Sequence, residues 1–320
     1  MLFPKLQCIL ALPCILAAVI KTPRDLLPTQ TLFQVNQTGP WLENIAVRSN
    51  GDLLVTMLLP TASLYTMKTP YSPARKFSLV HTFDNATALL GITETHPDTF
   101  AILSIEFSGA SSRSPTLWSA SFDAGDNLRM RKVTGLEGLL VPNGITSIPG
   151  TPVVLLTDSS GGTITRCDTA TGACGLILNT TQTAPVPGSA QATGANGVHY
   201  RCGYLYWSNS DLVSLFRVRL DKAGYPAPDA QIETIGTVDA AFVDDFAADG
   251  AGRFWIAAGG DNTVIALRGD GSSEVAAAVA GPTAAAFGRT ARDRGTLYVV
   301  TNGQAEPAKV VAVDVSKYII

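Results

Sequence analysis

The sequence predicts an all-β protein, a six-bladed β-propeller with four antiparallel strands in each blade. A pattern of two short apolar strands joined by a turn recurs about every 40 to 55 residues, a length that suits one four-stranded blade. Further segments such as TITRCD and SLFRVRLD alternate apolar and polar residues, as outer strands do. No long amphipathic helix separates the strands, which excludes an alternating βαβ fold.

The repeats give the domain organisation. They open at Glu43, Leu90, Asn143, Asn196, Asp244 and Thr283. Turn formers such as Asn50-Gly51-Asp52 and Arg294-Gly295 separate the paired strands. Residues 31–35 (TLFQV) precede the first repeat, and we expect them to pair into the last blade, because ring closure hides two sheet edges. One domain then covers residues 21–320, and the Pro/Gly/Ala-rich segment 182–194 is a surface loop.

Composition limits the partners. Apolar residues make up 46% of the chain and charged residues 15%, which is typical of a protein with much buried strand. The formal net charge is −3 and no run of Lys or Arg occurs, so nucleic acid is not an expected partner. No apolar run after residue 20 is long enough to span a membrane. We expect a small-molecule substrate and a monomer, since a closed propeller needs no partner.

Residues 1–20 are predicted to be a signal peptide that directs the chain to the secretory pathway. Lys5 precedes an apolar stretch at 6–19, and small residues follow at Ala17 and Ala18. A short membrane anchor is the alternative, although Pro13 breaks the apolar run. Secretion, or residence in the lumen of that pathway, would permit glycosylation of three Asn-x-Ser/Thr sequons. These sequons begin at Asn36, Asn85 and Asn179.

The cysteines outside the predicted signal peptide are consistent with an oxidising compartment. Cys167 and Cys174 flank a Thr-Gly-Ala segment that suits a tight hairpin, and we predict a disulfide between them. The alternative is that these two cysteines and Cys202 are all core thiols. Cys202 is left over, and we expect it to be buried in an inner strand.

Four of the repeats open with a carboxyl or carboxamide side chain, which supplies oxygen ligands: Glu43, Asn143, Asn196 and Asp244. The innermost strand of each blade lines the central channel, so these side chains are expected to converge at one mouth. Buried polar groups need partners, and a divalent cation would satisfy all four. Oxygen ligands favour a hard cation, with Ca²⁺ first. The alternative is that each residue caps a turn or bonds backbone amides.

With these residues, the chain resembles the SMP-30/gluconolactonase/LRE-like propellers. The resemblance implies that Glu43, Asn196 and Asp244 bind one metal ion and that Asn143, in PNGI, completes the shell or touches substrate. The sequence has no phosphate loop or dinucleotide fingerprint, so we expect no organic cofactor. Two positions depart from the family pattern. Glu43-Asn44-Ile45 stands where the family typically has Glu-Gly-Pro, and Asp244-Asp245 stands where it has Asp-Gly.

The phrase ENIAVRSNGDLLVT is similar to fungal secondary-metabolism members of this superfamily, some of them hetero-Diels–Alderases. This resemblance implies an enzyme that joins a quinone-methide, tropolone-type heterodiene to a terpene alkene in meroterpenoid biosynthesis. Glu43, Asp244 and Asn143 are then the candidate catalytic residues. A metal-dependent lactonase or esterase and a non-catalytic ligand-binding propeller are the alternatives.

Two further residues are candidates for substrate binding, together with Asn143. Trp41 lies two residues before Glu43 and is placed to wall the channel mouth. His199 follows Asn196 by three residues and is placed to act near the channel as a general base. A hydrogen-bonded core histidine is the alternative for His199.

Overall fold

The computed structural model describes residues 25–108 and 111–318, and it has the predicted architecture. The described residues form 24 strands, arranged as six four-stranded antiparallel sheets. Helix is limited there to two three-residue 3₁₀ turns, at Gly259–Asp261 and Ser316–Tyr318. No helix among the described residues is long and apolar enough to cross a membrane. The predicted signal peptide, residues 1–20, lies outside the described residues.

Each blade is a meander that runs from the channel outward. Strand β1 (Thr29–Gln34) comes before the first complete blade. Blade 1 contains β2 (Trp41–Val47), β3 (Leu53–Leu59), β4 (Ser63–Lys68) and β5 (Lys76–Thr82). Blade 2 contains β6 (Ala88–His96), β7 (Thr99–Ser108), β8 (Ser111–Phe122) and β9 (Leu128–Gly135). Blade 3 contains β10 (Pro142–Ser147), β11 (Val153–Asp158), β12 (Thr163–Asp168) and β13 (Cys174–Asn179).

The second half of the chain repeats this order. Blade 4 contains β14 (Ala195–Arg201), β15 (Tyr204–Asn209), β16 (Ser214–Arg219) and β17 (Glu233–Thr237). Blade 5 contains β18 (Phe246–Ala248), β19 (Phe254–Ala258), β20 (Thr263–Leu267) and β21 (Ser273–Ala278). Blade 6 contains β22 (Pro282–Phe287), β23 (Thr296–Thr301) and β24 (Lys309–Asp314), and β1 is its fourth strand.

The first and last strands close the ring. Strand β1 pairs antiparallel with β24, so that Thr29 lies opposite Val313 and Gln34 lies opposite Lys309. The prediction that residues 31–35 join the last blade is confirmed. Pairing the two ends of the chain in one sheet covers edges that an open array of blades would expose.

Apolar side chains fill the space between adjacent blades. Trp207 and Trp255 are fully buried. The Trp255 ring meets Phe287 of blade 6 edge-on, with ring centroids 6.2 Å apart. Such aromatic contacts add to the hydrophobic gain from burial, so the interfaces between blades carry the core.

The inner strands are irregular at the residues that open the repeats. In blade 3, the pairing of β10 with β11 shifts between Pro142 and Ile145, and in blade 4 that of β14 with β15 shifts between Ala195 and Val198. Asn-Gly pairs usually mark turns. Here, however, both Asn-Gly pairs lie in bulges inside strands. A bulge redirects side chains and is common beside active sites.

The glycines in these bulges allow neighbouring blades to touch. A Cβ atom on Gly144 would lie 2.4 Å from the carbonyl oxygen of Asn196 in the next blade. A Cβ atom on Gly197 would lie 2.2 Å from Oδ1 of Asp245. Both distances are well below van der Waals contact, so neither position has room for a larger residue.

Hydroxyl groups join one blade to the next at the same level. Thr157 in β11 accepts a hydrogen bond from the Gly144 amide (2.9 Å) and donates one to the Asn196 carbonyl (2.5 Å). The same two-way bond recurs in blades 1 and 4, where Thr56 joins Asn44 to Leu90 and Ser208 joins Gly197 to Asp244. The bulge frees the amide that each hydroxyl caps, so bulge and hydroxyl form one unit.

The structure contains the predicted disulfide, which links Cys167 in β12 to Cys174 in β13. The expectation that Cys202 is buried in an inner strand is wrong. Strand β14 ends at Arg201, and Cys202 lies in the turn before β15, where it is exposed and has φ of 48°. The three sequon asparagines, Asn36, Asn85 and Asn179, are exposed.

The close contact at Gly144 predicts that Gly144→Ala destabilises the fold by about 1–3 kcal/mol, because its methyl group would press on backbone. Gly175→Ala in the same blade is the control, since a Cβ atom there meets nothing within 4 Å. Its effect should stay within about 1 kcal/mol. Urea unfolding of both variants checks this, and equal effects would contradict the close approach.

The disulfide predicts that Cys174→Ser lowers the free energy of unfolding by about 2 kcal/mol, because the unfolded chain gains freedom. Cys202→Ser is the matched control, since it also replaces an exposed cysteine but breaks no crosslink. Thermal melting, with a thiol assay of the denatured protein, measures both effects. Identical melting temperatures, without a new thiol in the Cys174 variant, would argue against the crosslink.

Candidate functional site

The four carboxyl and carboxamide residues that open repeats meet at one mouth of the channel. Glu43, Asn143, Asn196 and Asp244 line a single cavity with a volume of about 350 Å³. Trp41 lines the same cavity, in the position expected from its place before Glu43. The chain places these residues on blades 1, 3, 4 and 5, so the ring brings them together.

The wall of the cavity is mainly apolar on the side of blades 1 to 3 and mixed elsewhere. Blades 1 to 3 contribute Leu58, Leu90, Phe107 and Val141, together with Ser159 and Ser160. The later part of the chain contributes the polar residues Gln191, Thr193, Asn302 and Gln304, together with Phe242 and Pro282. No sequence signal points to the polar loop residues, because loops carry no strand periodicity.

The floor of the cavity is buried and incompletely bonded. Glu43 is 5% exposed, Asn196 is 2% exposed and Asp244 is 7% exposed. The Asn196 side chain donates from Nδ2 to Ser210 Oγ at 3.0 Å. Among the described residues, neither Asn196 Oδ1 nor Glu43 Oε2 has a hydrogen-bond partner. Buried oxygens without partners are rare and indicate that a ligand, ion or water completes the site.

Burial and crowding raise the pKa values of both floor carboxyl groups. Burial raises the pKa of Glu43 to about 7, and the charge of Asp245 adds to the rise while the nearby Trp41 indole opposes it. The pKa of Asp244 rises well above its usual value, first by burial and then by repulsion from Glu43 and Asp245. The Asn196 amide opposes that rise. Carboxyl groups placed this close hold a proton more readily than isolated ones.

The donor set fits a hard cation. No group of three or more His, Cys, Asp or Glu side chains suited to a metal occurs within residues 25–108 and 111–318. The predicted set differs from such a group because it has two carboxylates and the amide of Asn196. All its donors are oxygens, and two of them are unpartnered, which suits Ca²⁺ or Mg²⁺.

His199 lies elsewhere. It is absent from the residues that line the cavity, and its Nε2 lies 2.8 Å from Oδ1 of Asp245. Its ring meets Phe246 edge-on, with centroids 4.6 Å apart, and 36% of the side chain is exposed. The structure therefore pairs this histidine with a carboxylate and does not place it in the cavity.

Asn44 and Asp245, the two residues that stand where the family has glycine, are in contact with each other. Asn44 donates a hydrogen bond from Nδ2 to Oδ2 of Asp245 at 2.9 Å. Both residues are 6% exposed. The sequence marks them as unusual because each replaces an expected glycine, but it gives no sign that they meet.

No family model matches the chain. Two relatives are each 30% identical to it and are named as candidate hetero-Diels–Alderases. One, asR5 from Sarocladium schorii, aligns over 82% of this chain and 75% of its own length. The other, from a Phoma species, aligns over 90% of both chains.

Solved structures share the propeller fold at low identity. Regucalcin from Agrobacterium tumefaciens, a calcium-binding protein, is 16% identical, with a TM-score of 0.61 over 90% of this chain and 95% of its own. A gluconolactonase from Xanthomonas campestris is 14% identical, with a TM-score of 0.62 over 90% and 89%. A luciferin-regenerating enzyme is 12% identical, with a TM-score of 0.65 over 90% and 95%.

These structures confirm the fold expected from the SMP-30/gluconolactonase/LRE resemblance. The two relatives at 30% identity indicate to which family with this fold the chain belongs. Their identity and coverage extend over most of the chain. The chain belongs to the hetero-Diels–Alderase-like family of six-bladed β-propellers.

Proposed function

We propose that this protein is a secondary-metabolite enzyme that joins an oxygen-containing heterodiene to an alkene in a hetero-Diels–Alder cycloaddition. The observation that carries the proposal is the cavity, which combines a buried acidic floor with an apolar side wall. The names of the two relatives support the same reaction. In this proposal the heterodiene is a tropolone-type quinone methide, and the alkene is a terpene.

Positioning is the main contribution that such a cavity makes. A cycloaddition forms two bonds in one step, so both reactants must be held face to face. Holding reactants in a near-attack arrangement removes roughly 7–11 kcal/mol of barrier in favourable cases. The apolar side, with Leu58, Leu90 and Phe107, suits a hydrocarbon, and the floor suits an oxygen-rich ring.

The carboxyl groups of the floor polarise the carbonyl group of the heterodiene. Burial and repulsion raise the pKa values of Glu43 and Asp244, so one of the two carboxyl groups keeps its proton at a pH where an isolated carboxyl group has lost it. The protonated member donates a hydrogen bond to the carbonyl oxygen of the heterodiene, where negative charge develops in the transition state. Asn143, which lines the same cavity, offers an amide N–H to that oxygen.

The same pair can form the heterodiene from an alcohol precursor. The protonated carboxyl group gives its proton to the departing hydroxyl, which leaves as water. The other carboxylate accepts the proton of the ring hydroxyl, which becomes the carbonyl of the quinone methide. One proton is given and one is taken, so the pair ends with the same number of protons.

A metal-dependent lactonase is the second candidate. The observation that favours it is the pair of unpartnered buried oxygens, Glu43 Oε2 and Asn196 Oδ1. Glu43, Asn196 and Asp244 would hold a divalent cation, with Ca²⁺ first. When bound, such a cation supplies Lewis-acid polarisation of a carbonyl group. The calcium-binding regucalcin and the gluconolactonase share the fold of this chain.

We also propose that the protein enters the secretory pathway. The Cys167–Cys174 disulfide and the three exposed sequon asparagines support this location.

Incubation with a hydroxymethyl-tropolone and a macrocyclic terpene alkene tests the two functions. We expect one dihydropyran stereoisomer to form faster than in buffer, with the same rate after treatment with EDTA. Loss of turnover on chelation, together with hydrolysis of a lactone by the Ca²⁺-loaded protein, would replace the cycloaddition with the second candidate. Elemental analysis of the untreated protein accompanies both assays.

The floor predicts that Glu43→Gln lowers the cycloaddition rate by about 10² or more, because the variant cannot exchange a proton. Glu137→Gln, at an exposed loop position, is the matched control and should keep the wild-type rate. Initial rates at saturating alkene measure the effect. A Glu43→Gln variant with the full rate would remove the acid from the mechanism.

The raised pKa of Glu43 predicts a pH-dependent stability in metal-free protein. The folded state holds the proton up to about pH 7, whereas the unfolded state releases it near 4.5. Stability from this group is therefore present below pH 4.5 and is lost as the pH rises to 7 and above. The loss is roughly 3 kcal/mol.

Urea unfolding at pH 5 and pH 8, in EDTA, measures this effect. Glu43→Gln should lose less stability across the interval than the wild type, because its side chain does not ionise. Glu137→Gln should follow the wild type. Parallel curves for all three proteins would show that Glu43 has an ordinary pKa.

A further inference from the structure

Each repeat opens with a pair of residues, such as Asn143-Gly144 in blade 3. The second residue of the pair determines which atoms lie at the axis of the propeller. Blades 2, 3 and 4 have glycine there, and none of the three has room for a Cβ atom; the glycines are Gly91, Gly144 and Gly197. Blades 1 and 5 have Asn44 and Asp245 instead, and blade 6 has Ala284. At Gly91 and Gly144 the obstructing atom is a backbone carbonyl oxygen of the next blade, whereas at Gly197 it is the carboxylate of Asp245. The Asp245 side chain therefore occupies space that Gly197 leaves free.

Both carboxylate oxygens of Asp245 have hydrogen-bond partners. Its Oδ2 accepts a hydrogen bond from Asn44 at 2.9 Å. Its Oδ1 accepts one from the Phe246 amide at 2.7 Å and lies 2.8 Å from Nε2 of His199. A buried carboxylate held by three donors is fixed in place, unlike the unpartnered oxygens of the floor.

The contact between Asn44 and Asp245 crosses the channel. Blades 1 and 5 are not neighbours in the ring, because blade 6 lies between them. Asn44 and Asp245 each follow a floor residue in the chain, and neither lines the cavity. His199 extends the contact to blade 4, further along its inner strand, and its side chain is partly exposed.

We propose that Asn44, Asp245 and His199 form a bridge that closes the channel beneath the cavity, so that reactants and water enter from one mouth alone. The two departures from the glycine pattern then act as one feature, since neither side chain spans the axis without the other.

Under the proposed function, on which this step depends, the bridge protects the heterodiene. Addition of water to its methylene carbon would return the alcohol, with the proton passing to the carbonyl oxygen. A channel open at both ends would admit water beneath the bound heterodiene, even when the alkene covers it from above. We therefore assign the three residues a positioning role that decides between cycloaddition and capture by water.

Two variants distinguish the effect of filling the axis with side chains from the effect of the negative charge of Asp245. Asn44→Gly combined with Asp245→Gly places at both positions the residue that blades 2 to 4 have, and it opens the axis. Asp245→Asn removes the charge but keeps the volume and an acceptor oxygen, so the bridge should stay closed.

Hydrogen exchange tests closure without reference to any reaction. In the double-glycine variant, amides of residues 195–201 should exchange about tenfold faster, and those of residues 88–92 in blade 2 should keep the wild-type rate. Asp245→Asn should match the wild type in both segments. An equal change in both segments would indicate general loosening and would overturn the bridge, as would no change in either.

Isotope labelling then tests the consequence. In H₂¹⁸O, the ratio of ¹⁸O-labelled alcohol to cycloadduct should be several-fold higher with the double-glycine variant than with Asp245→Asn, which equally lacks the Asp245 charge beside the floor. Equal ratios in the two variants would overturn the protective role. If the wild type forms no cycloadduct, the proposed function fails, whereas the exchange result still decides whether the bridge closes the channel.

Discussion

Neighbouring blades are joined beside the channel by hydroxyl groups that each hold two strands. Thr157 caps an amide that the bulge in its own blade leaves free, and it donates to a carbonyl of the next blade. Thr283 continues the arrangement across the ring closure by donating to the Leu42 carbonyl of blade 1 at 2.8 Å. Removing such a hydroxyl would leave buried backbone groups unsatisfied, at a cost of about 1–3 kcal/mol each. The bulges, and the side chains that they aim at the cavity, depend on these bonds.

This arrangement explains how a fold made of apolar strands tolerates a charged centre. The floor carboxyl groups of Glu43 and Asp244 are buried, which raises both pKa values, and the charge of Glu43 adds to the rise at Asp244. Asp245, only one residue away from Asp244, has its two oxygens fully bonded. The chain thus places a fully hydrogen-bonded carboxylate, Asp245, next to two carboxyl groups, Glu43 and Asp244, that are available for chemistry. Burying the available pair costs free energy, and carboxyl groups with such raised pKa values are typical of functional sites.

Much of this was predictable from sequence, and the failures have physical causes. The repeat period and the early strand at 31–35 predicted the blades and the closure, because strand patterning follows burial. The convergence of Glu43, Asn143, Asn196 and Asp244 followed from ring symmetry alone. The contact between Asn44 and Asp245 could not be predicted, since it joins blades that are not neighbours. Cys202 was misplaced because the sequence does not mark where β14 stops. The place of His199 outside the cavity depends on the bulge at Asn196, which shifts the strand's register.

The pairing of β1 with β24 has a consequence for how the chain matures. The ribosome makes strand β1 (Thr29–Gln34) long before its partner β24 (Lys309–Asp314). Blade 6 stays incomplete until then, and so does the contact from Thr283 to blade 1 beside the cavity. The five earlier blades can form in order as local meanders, whereas the last contact joins distant parts of the chain and is correspondingly slow. The ring around the cavity is therefore closed only after the ribosome has made β24, when the other blades are already available to fold.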